Sequence, residues 1–254
     1  MQLEGKVAIV TGSSRGIGKA IAKAYAKEGA QVVVTARTED ESQSKLPGSI
    51  RKTVEEIVSQ GGKATAIKCD LTKDEDMENL IKVVLDRFGS IDVLMNNAGI
   101  LFHSSVADTT VKRLDLILKI NLRAPYVLCK LVVPTMAQQG EGSIINMTSD
   151  AALSAHAEEE EVHYTPYGMT KAGLERLTMG LAEEVKQDNI AVNSLDPGGI
   201  KTEAAVYLYP EDFDWTGWRE PEVVGPSAVF LAAQTAKTFT GRRVSAEEFG
   251  KTWP

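Results

Sequence analysis

The stretch TGSSRGIG, residues 11–18, follows the apolar run KVAIV and opens an alanine-rich, helix-forming stretch, KAIAKAYAKEG. Gly12, Gly16 and Gly18 stand where a strand turns into a helix. Glycine is needed there if the backbone enters positive φ or must come close to a ligand. The free N–H groups of the helix beyond such a turn favour an anion such as a pyrophosphate. The spacing is G-x-x-x-G-x-G, so two readings stand: a phosphate cradle or a flexible bend. The segments that follow favour the cradle, because they alternate strand and helix.

AQVVVTA (30–36), KATAIKCD (63–70), IDVLMNN (91–97), GSIINMTS (142–149) and NIAVNSLDP (189–197) read as strands. Helical spacing of apolar residues marks 49–62, where Ile50, Val54, Ile57 and Val58 recur, and 74–89, which Gly89 ends. A long helix is expected over 111–140, bent at Pro125 or Pro134, and another over 167–187. Strands separated by helices imply βαβ units and a parallel sheet covered on both faces, so an α/β doubly wound fold is expected. No linker or repeat divides the chain, which predicts one domain over residues 1–254, with RRVSA (242–246) as a last strand.

Bulk properties narrow the function. Hydrophobic residues make up 43% of 254 residues, enough for a core. Lys and Arg total 28 against 35 Asp and Glu, a net charge of −7, which argues against nucleic acid as the main partner. The start MQLEGKVAIVTG reads as a first strand rather than a signal peptide, and no apolar run is long enough to span a membrane. Cys69 and Cys129 form no disulfide framework, which fits free thiols in a reducing cytoplasm. His103, His156 and His163 lack metal-ligand spacing, so no metal site is expected.

Where dinucleotide folds often end the second strand in an acidic residue, this chain has Ala36 and Arg37, and Arg15 lies inside the glycine loop. Two forked guanidinium groups suit a 2′-phosphate, which predicts NADP(H) over NAD(H).

TGSSRGIG, CDLT (69–72), NNAG (96–99), KINL (119–122), INMTS (145–149), YGMTK (167–171) and NSLDPGGIKT (193–202) occur in this order. Together they resemble the short-chain dehydrogenase/reductase family, well over residues 3 to 202 and thinly beyond. The resemblance implies a Rossmann-type sheet and hydride transfer between a nicotinamide and a carbonyl or secondary alcohol. Gly12, Ser14, Arg15, Gly16, Ile17 and Gly18 would hold the pyrophosphate, and Arg37 the 2′-phosphate. Asp70 and Leu71 would meet the adenine, and Asn97, Ala98 and Gly99 the ribose. Pro197, Gly198, Ile200 and Thr202 would hold the nicotinamide end, with Tyr167 and Lys171 also against the cofactor. Asn121, Ser149, Tyr167 and Lys171 would form the proton-transfer group, with Asn121 holding a water that links Lys171 to solvent. Family members are often tetramers built on long helices, so a homo-oligomer, tetramer or dimer, is expected.

The spacing of Tyr167 and Lys171 puts them on one helix face, with Pro166 suited to the helix start. A phenol with an ordinary pKa of ~10 must be softened by about three units to cycle at neutral pH, roughly 4 kcal/mol. The expectation is that the ammonium, the helix dipole and an oxidised nicotinamide supply it together. Ser149 would orient the substrate oxygen. Tyr164 lacks such a partner, since Gly168 lies four residues on.

The Ser149–Tyr167 interval, a longer loop after Arg37 and the C-terminus depart from the family pattern, while 203–220 lies where the family keeps its variable lid. Ser149 and Tyr167 are separated by an enlarged loop carrying Glu158 to Glu161, read as a solvated loop or as a selector against anionic substrates. Residues 203–220 are expected as a substrate lid, whose Tyr207, Tyr209, Phe213, Trp215 and Trp218 would either wall an apolar pocket or pack on each other. The C-terminus lacks the family's paired-glycine turn. Two other readings remain: a 3-oxoacyl thioester reductase, and a catalytically silent nucleotide-binding module acting through assembly.

Overall fold

In the computed structural model, residues 1–153 and 163–254 are described. The elements run β1 (Val7–Thr11), α1 (Gly16–Lys27), β2 (Gln31–Ala36), α2 (Ile50–Ser59), β3 (Lys63–Lys68), α3 (Asp74–Phe88), β4 (Val93–Asn96), α4 (Val111–Leu118), α5 (Ala124–Gln139), β5 (Gly142–Met147), α6 (Thr165–Glu184), β6 (Ile190–Asp196), α7 (Glu203–Leu208), α8 (Gly225–Ala232) and β7 (Arg243–Ser245). The strands form a seven-stranded sheet in the order β3-β2-β1-β4-β5-β6-β7, and every pairing is parallel. This is the expected α/β doubly wound, Rossmann-type fold. The order reverses between β1 and β4, the switch point at which folds of this kind form a ligand crevice beyond the strands' C-terminal ends.

Alternation along β1 explains the two layers. Ala8 and Val10 face a cluster with Ile21 and Tyr25 of α1 and Ala228 and Leu231 of α8. Val7 and Ile9 face the opposite cluster, with Leu80 and Val84 of α3 and Leu128 and Val132 of α5. Each fully buried aliphatic side chain contributes about 1.5–3 kcal/mol, so both faces of the central strands are fixed by burial.

The expected helix over 111–140 is in fact two helices joined by a wide π-helical turn, Lys119–Arg123. Pro125 directly follows that turn, and its missing N–H leaves a carbonyl of the turn without the partner an unbroken helix would supply, whereas Pro134 lies inside α5. α6 starts at Thr165 and holds Pro166 in its first turn, two residues before the expected start at Tyr167. The C-terminal strand is present but short, and the following residues fold back so that the Trp253 indole N–H donates to the Ser245 carbonyl at 2.9 Å. The Glu158 to Glu161 segment and His156 lie outside the described residues.

Candidate active site

The glycine loop leaves β1 at the switch point. Gly12 has φ +65, and a side chain there would stand 2.8 Å from Ala98 Cα. Gly16 also has positive φ, +54, and a Cβ on Gly18 would stand 2.5 Å from the Gly12 carbonyl oxygen. These are positions only glycine fills without moving backbone. Thr11 ties the loop to the end of β4: its Oγ1 accepts the N–H groups of Asn97 and Ala98, both at 3.1 Å. Asn97 Nδ2 donates back to the Thr11 carbonyl at 2.8 Å. α1 receives no side-chain cap and has no acidic residue in its first turn, whereas α2 is capped by Ser49 and α7 by Thr202. The leading amides of α1 are thus left for an anion. Ser14 is buried and Ile17 packs against the α1 cluster.

Arg15 is held in place from outside the loop. Its Nη2 donates to the Gly48 carbonyl at 2.9 Å and to Ser44 Oγ at 3.2 Å, while its buried Nε has no partner among the described residues. Burial lowers its pKa, Glu203 opposes that, and the nearby charge of Arg37 adds to the lowering. The two guanidinium groups therefore share one region, as the sequence reading required. Asp70 lies within the field of Arg37. Burial raises its carboxyl pKa, but hydrogen bonds from Thr72 and the charges of Arg37 and Lys73 outweigh that and leave it lowered. Leu71 packs, half-buried, against the α3 cluster.

The group around Tyr167 converges from four elements. Asn121 is the middle residue of the wide turn and is buried. It pairs with the Ile100 backbone, accepting at 2.9 Å and donating at 2.8 Å, and also donates to Thr170 Oγ1 at 3.3 Å. A side chain on Gly99 would stand 3.6 Å from Asn121 Oδ1 and 3.8 Å from Lys171 Nζ, so this glycine keeps the space between them open. Lys171 is buried, donates to the Met147 carbonyl at 2.7 Å, and lies 5.4 Å from the Tyr167 ring centre.

The expected softening of the phenol is absent from the protein's own groups. Burial pushes the Tyr167 pKa up to about 12; hydrogen bonding with Ser149 pulls it down, and the charges of Asp196 and Asp150 push it further up. Burial brings Lys171 down to about 8, against the opposing pull of Asp196 and Glu175. At neutral pH the phenol is thus held neutral, and Lys171 keeps most of its charge but gives up its proton far more readily than an exposed lysine.

The residues expected at the nicotinamide end follow β6, where the chain turns tightly. Gly198 has φ +69 and its N–H donates to Asp196 Oδ1 at 3.0 Å. Arg219 Nη2 donates to the Pro197 carbonyl at 2.7 Å. Ile200 is buried, and Thr202 caps α7 through the Ala205 N–H at 3.1 Å. Asp196 is itself held by Arg243 Nη2 at 2.7 Å, and Arg243 Nε lies 3.3 Å from Glu175.

A cavity of about 720 Å³ opens beside Ser149 and Tyr167, walled by Tyr164, Tyr209, Trp218 and Leu101. Both readings of the lid aromatics are met. Tyr209 and Trp218 face the cavity, whereas Phe213 and Trp215 pack behind them, Phe213 at 4.2 Å from Tyr209 and Trp215 at 5.2 Å from Trp218. Tyr207 stands apart on the surface. Tyr164, without a lysine partner in the sequence reading, has its hydroxyl 2.8 Å from that of Tyr209. Sequence reasoning also missed Asp150, whose Oδ1 accepts from Ser149 Oγ at 3.0 Å, and Glu203, whose Oε2 is buried near Gly16. Their only sequence signal is adjacency to Ser149 and Thr202.

The family model for short chain dehydrogenases matches residues 6–212. This chain belongs to the short-chain dehydrogenase/reductase family. It is 34% identical over 252 residues to the human dehydrogenase/reductase SDR family member 4, covering 95% of this chain and 86% of that one. It is 34% identical to the Xenopus laevis hydroxysteroid dehydrogenase-like protein 2 over 97% of this chain but 58% of that protein, so it spans little more than half the length of that relative. A metagenomic short-chain oxidoreductase solved in complex with NADP superposes with a TM-score of 0.78, at 32% identity, over 96% of this chain and 98% of that one. Among the described residues, no helix is long and apolar enough to cross a membrane, and no group of three or more His, Cys, Asp or Glu is placed to hold a metal.

Proposed function

We propose that this chain transfers hydride between NADP(H) and a carbonyl or secondary alcohol, with Tyr167 as the general acid/base. The observation that carries the reading is the convergence of Ser149, Tyr167 and Lys171 beside a cavity at the same sheet end as the uncapped α1 amides. The bare glycine cradle and the free Nε of Arg15 fit an anionic dinucleotide. Gly12, Ser14, Arg15, Gly16, Ile17 and Gly18 hold its pyrophosphate. Arg37 with Arg15 holds the 2′-phosphate, Asp70 and Leu71 the adenine, and Asn97, Ala98 and Gly99 the ribose. Pro197, Gly198, Ile200 and Thr202 hold the nicotinamide end. When bound, the nicotinamide supplies or accepts the hydride and, when oxidised, a positive charge.

Ser149 orients the substrate oxygen toward the Tyr167 hydroxyl, and Tyr167 gives or takes the proton at that oxygen. Lys171 lowers the energy of the phenolate and is held for that task by the Met147 carbonyl. Asn121 fixes the Ile100 backbone beside Lys171 and supports a proton path past Gly99 to solvent. The residues of 203–220 close the pocket as a lid on a single catalytic domain. The unpaired, buried Cys69 and Cys129 favour a reducing cytoplasm as its location.

Tyr167→Phe is expected to lower kcat by at least about a thousandfold while NADPH binding, read by fluorescence titration, stays within about twofold. Wild-type turnover in that variant rules the mechanism out. Arg37→Ala is expected to weaken NADPH by roughly tenfold or more and leave NADH unaffected. Equal loss for both cofactors would reject the 2′-phosphate contact. Of the other readings, a 3-oxoacyl carrier substrate is disfavoured by the carboxylate of Asp150 at the cavity. A silent assembly module is disfavoured by the intact Ser149, Tyr167 and Lys171.

A further inference from the structure

We infer that the substrate pocket selects carbonyl compounds carrying a positively charged amine, with Asp150 and the rings of Tyr164, Tyr209 and Trp218 receiving the cationic end. The inference rests on the oxidoreductase reading and specifies its substrate class.

Three observations carry it. First, the described residues lining the cavity include no Lys or Arg, while the Asp150 carboxylate lies on its wall. That carboxylate is anchored by the Ser149 hydroxyl at 3.0 Å, beside the position proposed for the reacting oxygen, and Asp150 is exposed among the described residues. Among the described residues an anionic substrate meets the Asp150 charge on this wall and finds only hydroxyls, the Trp218 indole and His163 as side-chain donors, with no Lys or Arg.

Second, part of the same cavity wall is aromatic. Tyr209 and Trp218 meet edge to face at 5.4 Å, and His103 packs edge-on against both Tyr164 and Tyr209, at 5.1 and 5.2 Å. Ring faces attract cations through their quadrupoles, and the attraction grows as water is excluded. The Tyr164 and Tyr209 hydroxyls bond to each other, which fixes both rings in place.

Third, among the described residues, the Lys and Arg side chains near the cavity are committed elsewhere. Lys171 is behind Tyr167 and bonded to the Met147 carbonyl. Lys201 lies over the outer ring of Trp215 at 5.3 Å, and Arg219 pairs with Glu247 at 3.0 Å. None of them is among the residues that line the cavity.

The test uses three ring ketones of equal size: an N-methylated piperidone, protonated in mildly acidic buffer, the uncharged methylcyclohexanone, and a cyclohexanone carboxylate. Each is followed twice on the full chain with NADP(H) present: by NADPH oxidation, and by quenching of tryptophan fluorescence as a binding readout. The cationic ketone is expected to exceed the neutral one in affinity and kcat/KM by about tenfold, and the carboxylate to be weakest. Asp150→Asn is expected to shrink the cationic-to-neutral ratio to within about threefold, and added salt to shrink it in the wild type alone. Using the ratio cancels any general effect of losing the Ser149 contact. The inference is overturned if the ratio in the wild type is near unity, if the carboxylate binds best, if none of the three binds, or if Asp150→Asn leaves the ratio unchanged. Absence of NADPH oxidation with every ketone, while charge-selective binding persists, would instead overturn the oxidoreductase reading and leave the cation site standing.

Discussion

Lys171 is the residue where catalysis and stability oppose each other. Its ammonium is buried and its pKa falls to about 8, well below the ordinary value for lysine. In the unfolded chain the group binds its proton more tightly than in the folded one. Its burial therefore lowers stability in full below about pH 8, and the penalty disappears as pH rises toward the ordinary value of ~10.4. Lys171→Met is accordingly expected to abolish turnover yet raise Tm by roughly 2–6 °C at neutral pH. The gain should shrink toward zero in scans at about pH 10. A variant less stable than wild type at neutral pH would contradict this account. The residue types and their four-residue spacing were legible in the sequence. The direction of the Tyr167 shift was not, because burial of that hydroxyl depends on the lid and on the turn after β6, which are far away in the chain.

Among the elements, β7 matters more than its three residues suggest. Arg243 reaches across to Asp196 and Glu175, two carboxylates that are almost fully buried. Asp196 in turn accepts the Gly198 N–H and so shapes the turn proposed for the nicotinamide end. Arg243→Leu leaves both carboxylates without their cation. It is expected to cost roughly 2 kcal/mol, since Arg243 is itself partly exposed, and to lower Tm by about 4–8 °C. Burial already raises the folded-state pKa of Asp196, so the folded state takes up its proton more readily than the unfolded one. Part of the loss should return as pH falls from neutrality through that raised value toward the ordinary ~3.9, visible as a smaller Tm gap between variant and wild type. The strand itself was readable from RRVSA, as were the buried parallel strands, which read as nearly unbroken apolar runs. The Arg243–Asp196 pair was not, because residues 47 apart meet only once β6 and β7 are in register.

At the scale of the whole molecule, the chain is acidic, with its proposed anion site confined to one end of the sheet around Arg15 and Arg37. The long helices present apolar groups outward: Leu116 on α4, Tyr126 on α5, Met169 and Met179 on α6. We propose that these faces join copies into a dimer or tetramer. Sedimentation should then give a mass of at least twice 27.5 kDa, and a Tyr126→Glu, Met179→Glu double variant should move toward the monomer. A monomer at micromolar concentration would rule this out. The topology was legible because alternating strands and helices admit few right-handed arrangements. The pocket was less so, since its walls come from Leu101, Ser149, Tyr164 and Trp218, on segments joined only by the fold.

The wide turn at Lys119–Arg123 sets the rotational phase of everything after it. Ile117 and Met136 are both fully inward-facing, yet they are nineteen positions apart. On an uninterrupted α-helix their directions would differ by about 100°. The one surplus residue taken up by the broader loop of backbone absorbs roughly that offset. Deleting a single residue there would straighten the rod, swing Leu128, Val132 and Met136 off the sheet, and pull the Asn121 amide away from Ile100. One inserted residue thus serves the core and the proposed proton path together, and neither can be retuned along this rod without disturbing the other.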